Sequence, residues 1–180
     1  GEAVGNWLAD TMGDEFIRMA LLSGSQGNPV GKERRQGVFR GLIEEQLRNN
    51  NASGFEIVAQ GWGEWAHEGG LNAMEDILVA FPDINVLLCE NDSMCLGAMQ
   101  AINEAGKTDD ILVLAAADGQ KEALELIMDG SYGATGLNDP ALVAGTAVDL
   151  AVEYLQGRRD FPRIIYTPPV AITQENVAEF

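Results

Sequence analysis

The sequence predicts an α/β fold, with a mostly parallel open sheet covered by helices on both faces. Three observations predict it. Apolar runs alternate with helix-like segments along the whole chain, the element order that builds a parallel sheet. Runs such as INVLLC (84–89) and ILVLAAA (111–117) are nearly continuous in apolar residues, as strands buried on both faces are. Four of five such runs end directly in a polar or aromatic residue. FEIVAQ (55–60) leads into Trp62 and Trp65, INVLLC into Glu90, Asn91 and Asp92, ILVLAAA into Asp118, and YGATGL (132–137) into Asn138 and Asp139. In open α/β sheets, ligands bind in the crevice outside the carboxyl ends of the strands.

Each element has a local justification. Residues 2–12 (EAVGNWLADTM) read as an amphipathic helix and FIRMALLSG (16–24) as a strand. Asn28-Pro29 is a cap followed by a first-turn proline, opening a helix to about residue 48 that NNNASG (49–54) closes. After FEIVAQ, residues 65–80 read as a helix. INVLLC precedes a helix over 92–105, with Gly106 at its C-terminal end. ILVLAAA precedes KEALELIMD (121–129), which Gly130 ends. Asp139-Pro140 repeats the cap-and-proline signal before the helix 141–155. Gly157-Arg158-Arg159-Asp160 turns the chain, and RIIYT (163–167) is expected as a last strand before Pro168-Pro169. The helix 141–155 is apolar around most of its circumference, interrupted by Thr146, Asp149, Glu153 and Tyr154. Such a helix requires burial on nearly all sides, either as a central helix of this domain or against material outside it.

Composition limits the partners. The chain has 180 residues, 46% of them hydrophobic, and a net charge of −17 from 28 acidic against 11 basic side chains. Nucleic acid and anionic membrane surfaces are therefore disfavoured. No apolar run approaches the roughly 18 residues of a membrane span. Gly1 stands where an initiator Met would, which reads as a processed or excised fragment, so the lack of a secretory leader leaves the compartment open. Cys89 ends a strand and Cys95 lies in the next helix. A strand end plus two helical turns would hold their Cα atoms too far apart for a disulfide, so both are expected as reduced core thiols.

Catalytic signals are weak, and the chain reads as no enzyme. One histidine, His67, is too few for a His-rich metal site and makes a Ser-His-Asp triad improbable, so no metal and no catalytic residues are assigned. There is no G-x-S-x-G and no Walker loop. Gly61-Trp62-Gly63-Glu64-Trp65-Ala66 fits G-x-G-x-x-A after a strand, but two indoles and a carboxylate would crowd and repel a pyrophosphate. No cofactor is expected. Trp65 is either a stacking surface or a helix-packing aromatic. Asn91 and Asp118 either meet a ligand or cap the helices that follow. In KERRQG (32–37), Lys32 and Arg35 read as a solvated face, while one arginine turned inward would supply a rigid donor fork. Together, the carboxylates, amides and tryptophans at the strand ends suit a small polyol, whose hydroxyls need acceptors and donors and whose C–H faces need a flat apolar ring.

Four segments resemble the sugar-binding periplasmic proteins of the ribose-binding type. LLSGSQGNPVGKERRQGVFRGL (21–42) is similar to their G-x-x-G…R-x-x-G-F segment, and LLCENDSMCLGAMQAINEAGK (87–107) to N-D-x-M-A-L-G-A-x-x-A-L-x-x-A-G-K. AADG (116–119) resembles G-F-D-G, and ATGLNDPALVAG (134–145) resembles A-T-x-x-Q-x-P. The resemblance implies a solute-binding component of an ABC importer, periplasmic, working with a membrane permease. It also implies one lobe of a two-lobe periplasmic-binding-protein fold of type I. Carried over by position, Arg34, Asn91, Asp118 and Asn138 become hydrogen-bonding sugar contacts and Trp65 the stacking aromatic. Ala116 and Ala117 stand where Gly-Phe is usual, Val38 where Phe is usual, and Asn138 where Gln is common, which leaves the sugar open.

The same resemblance divides the chain. Residues 1–137 are expected as a C-terminal ligand-binding lobe, 138–161 as a segment crossing into an N-terminal lobe absent here, and 162–180 as a return strand and tail. The absent lobe, or a second copy, would cover the helix 141–155, and without it the isolated lobe is expected to bind weakly. An effector domain of the lactose-repressor kind shares this fold and is the alternative, although AGKTDDILVLAAADG (105–119) looks more like the transport family.

Overall fold

The computed structural model of the protein describes residues 1–180. The elements are α1 (Glu2–Met12), β1 (Ile17–Ser23), α2 (Pro29–Asn50), β2 (Phe55–Trp62), α3 (His67–Ala80), β3 (Val86–Cys89), α4 (Asp92–Glu104), β4 (Leu112–Asp118), α5 (Lys121–Asp129), β5 (Ala134–Leu137), α6 (Pro140–Leu155) and β6 (Ala171–Thr173), with a final 3-10 turn at Val177–Glu179. Local chemistry sets the boundaries. Asn28 Oδ1 accepts from the Val30 N–H at 2.8 Å, and Asp139 Oδ1 accepts from the Ala141 N–H at 2.8 Å. In both helices a proline follows the cap, where its missing N–H costs nothing.

One six-stranded sheet runs in the order β2-β1-β3-β4-β5-β6. The pairs among β1 to β5 are parallel and β6 is antiparallel to β5. The chain steps one way from β1 to β2, then back across β1 to β3 and onward. Right-handed crossovers therefore place α2 on one face and α3, α4 and α5 on the other. Strand side chains divide accordingly with a period of two. Met19, Leu21, Val86, Leu88, Leu114 and Ala116 face α1 and α2, while Ala20, Leu22, Leu87, Cys89, Val113 and Ala115 face α3, α4 and α5. The direction of travel reverses between β1 and β3, so a crevice opens outside their carboxyl ends.

Three expectations are corrected. The last strand is 171–173, not RIIYT (163–167), which is irregular and mostly exposed. Pro162 stands immediately before that stretch and Pro168-Pro169 immediately after it, and proline cannot donate to a ladder, so no ladder extends past either end. The loop between β2 and the next helix lies two residues later than expected, because β2 continues through Trp62 and α3 begins at His67. Cys89 and Cys95 form a disulfide, their Cα atoms 5.6 Å apart. The helix begins at Asp92, which puts Cys95 in its first turn and not two turns on. The bond closes a short loop, so its entropic contribution is modest. Refolding the chain with both thiols reduced is expected to lower its unfolding free energy by about 2 kcal/mol, read as a shifted denaturant midpoint with unchanged slope. An unchanged midpoint would mean the staple adds nothing.

Helix α6 has no buried residue. Val148, Val152 and Leu155 are 61%, 45% and 82% exposed, and their spacing puts them on one stripe. The choice left open by the sequence is thereby decided: this is not a central helix of the domain.

Candidate functional site

The carboxyl ends of β1, β3, β4 and β5, with the loop after β2, carry one hydrogen-bonded rim. Its centre is Arg34, in the second turn of α2. One guanidinium nitrogen donates to the Glu90 carbonyl at 2.9 Å and another to Asp118 Oδ1 at 2.5 Å. The guanidinium carbon stands 5.6 Å from the centre of the Trp65 ring, within cation–π range. Asn138 Nδ2 reaches the same Asp118 oxygen at 3.3 Å. Arg34 and Asp118 retain 19% and 27% of their side-chain exposure, so both remain open to a ligand.

Asn91 is committed to structure as well as placed at the rim. Its Oδ1 accepts from the Met94 N–H at 3.1 Å, capping α4, and its Nδ2 donates to the Trp65 carbonyl at 3.2 Å. Trp65 is half-buried against the core on the α3 side. The backbone there is strained to present it, with φ of 49° at Glu64 and 64° at Trp65, a region non-glycine residues seldom occupy. Gly24 is required opposite, since a Cβ at that position would overlap the indole. The structure thus gathers Arg34, Trp65, Asn91, Asp118 and Asn138 at one edge.

Several residues at the rim and beneath it were not assigned as site residues from sequence. Glu90 is 1% exposed, and its carboxylate accepts from the Gly24 N–H at 2.8 Å and from Arg35 at 2.6 Å. The expectation that Arg35 belongs to a solvated face is therefore wrong. A buried carboxylate needs a cation or several donors, and Arg35 lies where it can reach Glu90. Gly31 leaves room for that carboxylate, because a Cβ there would collide with it. Asp92 is fully buried and accepts four hydrogen bonds. Glu90 and Asp92 were visible in the sequence as strand-end acids, but the donors that fix their roles are distant in the chain.

The arrangement can recognise hydroxyl groups. Carboxylate, guanidinium and amide lie beside an aromatic face, with the charges already paired, so neither a strongly anionic nor a strongly cationic ligand is favoured. No group of three or more His, Cys, Asp or Glu side chains is arranged to hold a metal ion. A groove of about 770 Å³ lies between β2 and α3 and is lined by Val58, Trp62, Ala73, Ile77 and Phe81 among others. It is on the flank of the sheet, and none of Arg34, Trp65, Asn91, Asp118 and Asn138 lines it.

Residues 1–159 match a family model described as the periplasmic binding protein domain. The ribose import binding protein RbsB of Bacillus subtilis (strain 168) is 33% identical over 159 residues, covering 88% of this chain and 48% of that protein. The D-allose-binding periplasmic protein of Escherichia coli (strain K12) is 30% identical over 148 residues, covering 82% of this chain and 45% of that protein. The chain spans about half the length of the curated relatives it matches. Among solved structures, an ABC transporter periplasmic solute binding protein from Actinobacillus succinogenes 130z with bound D-allose superimposes with a TM-score of 0.83 at 27% identity, over 100% of this chain and 61% of the other. The periplasmic binding protein component of the arabinose ABC transporter from Shewanella sp. ANA-3, bound to L-arabinofuranose, gives 0.81 at 30% identity, over 99% and 57%. These relatives are binding proteins of transport systems, which does not favour the repressor-type reading. With a family model matched from Gly1 through Arg159 and a single six-stranded lobe beneath it, this chain belongs to the periplasmic binding protein family.

Proposed function

We propose that this chain binds a small sugar or polyol as part of the solute-binding component of an ABC importer, and that it performs no catalysis. The observation that carries the reading is the cluster of Arg34, Asp118 and Asn138 beside the Trp65 face at the switch point of the sheet. A sugar hydroxyl can donate to a carboxylate while accepting from a guanidinium, and a ring C–H face can rest on an indole. Asn91 adds to the set the one amide hydrogen and one lone pair left beyond its bonds to Trp65 and Met94.

The same proposal assigns the rest of the chain. Residues 1–137 form the ligand-binding lobe. Residues 138–161, with the apolar face of α6, cross into or pack on a second lobe, and 162–180 return to the sheet edge. A membrane permease is the transport partner and the periplasm the working compartment. The Cys89–Cys95 disulfide suits an oxidising compartment.

The test is a titration of the chain with D-ribose, D-allose and myo-inositol, followed by NMR chemical shifts. This chain supplies one lobe, and a two-lobe trap would draw about half of its contacts from the other, so binding by the chain alone is expected only in the millimolar range. The shifts should be confined to Arg34, Trp65, Asn91, Asp118 and Asn138. Shifts elsewhere, or none at these five, would remove the reading.

A further inference from the structure

We propose that Asp92, held in place by Tyr132, is a positioning residue that fixes Asp118 for ligand recognition. The proposal rests on the reading above that Asp118 meets the sugar. Asp92 does not reach the rim. It is fully buried at the first position of α4, and an isolated carboxylate there would be costly without donors. The structure supplies four. Asp92 Oδ2 accepts from the backbone N–H groups of Asp118, Gly119 and Gln120 at 3.1, 2.7 and 2.8 Å. Oδ1 accepts from the Tyr132 hydroxyl at 2.9 Å.

Three consecutive N–H groups converge on one oxygen only if the backbone curls around it. Gly119 provides the curl, with a φ of 90°, a left-handed value that a side chain would strain. The result ties the end of β4 to the start of α4, and the first residue tied is Asp118 itself. The fourth donor makes the arrangement directional. Tyr132 is 1% exposed and enters from the segment before β5. Burial, and then the negative charge of Asp92, push its phenol well above the ordinary tyrosine range, which favours the O–H form that donates to Asp92. One path of hydrogen bonds therefore runs from Tyr132 through Asp92 to the backbone of 118–120, and from the Asp118 carboxylate to Arg34 and Asn138. No other charged group competes for Asp118 along it.

The experiment compares the wild-type chain with Asp92→Asn and Tyr132→Phe by NMR. In Asp92→Asn the amide protons of Asp118, Gly119 and Gln120 should exchange about tenfold faster or more. Those of Leu87 and Leu88 in the central strand should keep their wild-type rates. The Arg34 guanidinium resonance should move toward that of a free arginine as its contact with Asp118 loosens. Tyr132→Phe, which leaves the ring in place, should move the same signals in the same direction by less. A purely structural role for Asp92 predicts something else: exchange rising together at 118–120 and in β3, with the Arg34 resonance unmoved in the folded fraction. That result, or no change at 118–120, overturns the proposal. A D-ribose titration separates it from the functional reading. If the wild type shows no response to the sugar while Arg34 still shifts in Asp92→Asn, the sugar reading fails and the positioning role stands. If the wild type binds and Asp92→Asn binds equally well, the positioning role fails and the sugar reading stands.

Discussion

Asp118→Ala is expected to abolish the response of the rim to sugar while leaving the fold intact. The Asp118 carboxylate is the shared acceptor for Arg34 and Asn138. Removing it deletes one charge-assisted acceptor for a ligand hydroxyl and leaves the Arg34 guanidinium with only the Glu90 carbonyl as a hydrogen-bond partner. A hydrogen bond to a charged group contributes about 1.5–3 kcal/mol, which corresponds to roughly 10- to 150-fold in affinity. From a millimolar starting point, such a loss leaves the rim far from saturation over the sugar range that saturates the wild type. Stability responds far less. Both partners are part-exposed, and pairs of that kind contribute about 0–1 kcal/mol. Melting and titration should therefore separate: a melting curve close to wild type beside a flat sugar titration. Sugar shifts in Asp118→Ala equal to those of the wild type would exclude Asp118 from the site. Arg34→Ala should act in the same direction and also release the Trp65 face.

The second large effect concerns α6. Val148, Val152 and Leu155 form an exposed apolar stripe, and side chains of this size gain about 1.5–3 kcal/mol each when fully buried. We propose that a second lobe, or failing that a second copy, covers the stripe. In the isolated chain it should drive concentration-dependent self-association, visible as a sedimentation coefficient that rises with loading. The double substitution Val148→Glu and Leu155→Glu should hold the chain monomeric over the same range. Because neither side chain is buried in the lobe, unfolding free energy should stay within about 0.5 kcal/mol of wild type. A wild type that remains monomeric at high concentration would show that the stripe does not drive self-association, and a variant that melts early would show that it is packed within the lobe.

The acidic surface bears on both experiments. A net charge of −17 opposes close approach of like chains at low ionic strength. Self-association through α6 should therefore strengthen as salt screens that repulsion. Sugar binding, being a matter of short-range hydrogen bonds to a neutral ligand, should change little with salt.

Much of this protein was legible in the chain because local chemistry decides it. The Asn28-Pro29 and Asp139-Pro140 pairs start helices wherever they stand before a helix-forming run, since cap and proline act over two or three residues. Gly130, with a φ of 87°, ends α5 for an equally local reason. The continuous apolar runs implied burial on both faces, and in β3 all four residues are buried. Even the rim was anticipated in outline, because a parallel sheet sends every strand's carboxyl end to the same edge. Polar residues that follow the strands must then meet there.

What the sequence could not decide is everything that depends on which distant groups become neighbours. The reading of Arg35 as solvated and of the cysteines as reduced both failed on that point. Arg35 turns inward because Glu90, remote in sequence, is buried and needs a cation. Cys95 meets Cys89 because α4 turns back immediately at Asp92. The sixth strand lies at 171–173 because it is the segment that pairs with β5. Asp92 reads in the chain as one more strand-end acid, and only the folded structure brings three backbone N–H groups and a tyrosine to its two oxygens. Periodicity and capping report what a residue does within a turn or two of itself. Long-range pairing follows from the packing of the whole sheet, and the tertiary structure alone supplied it.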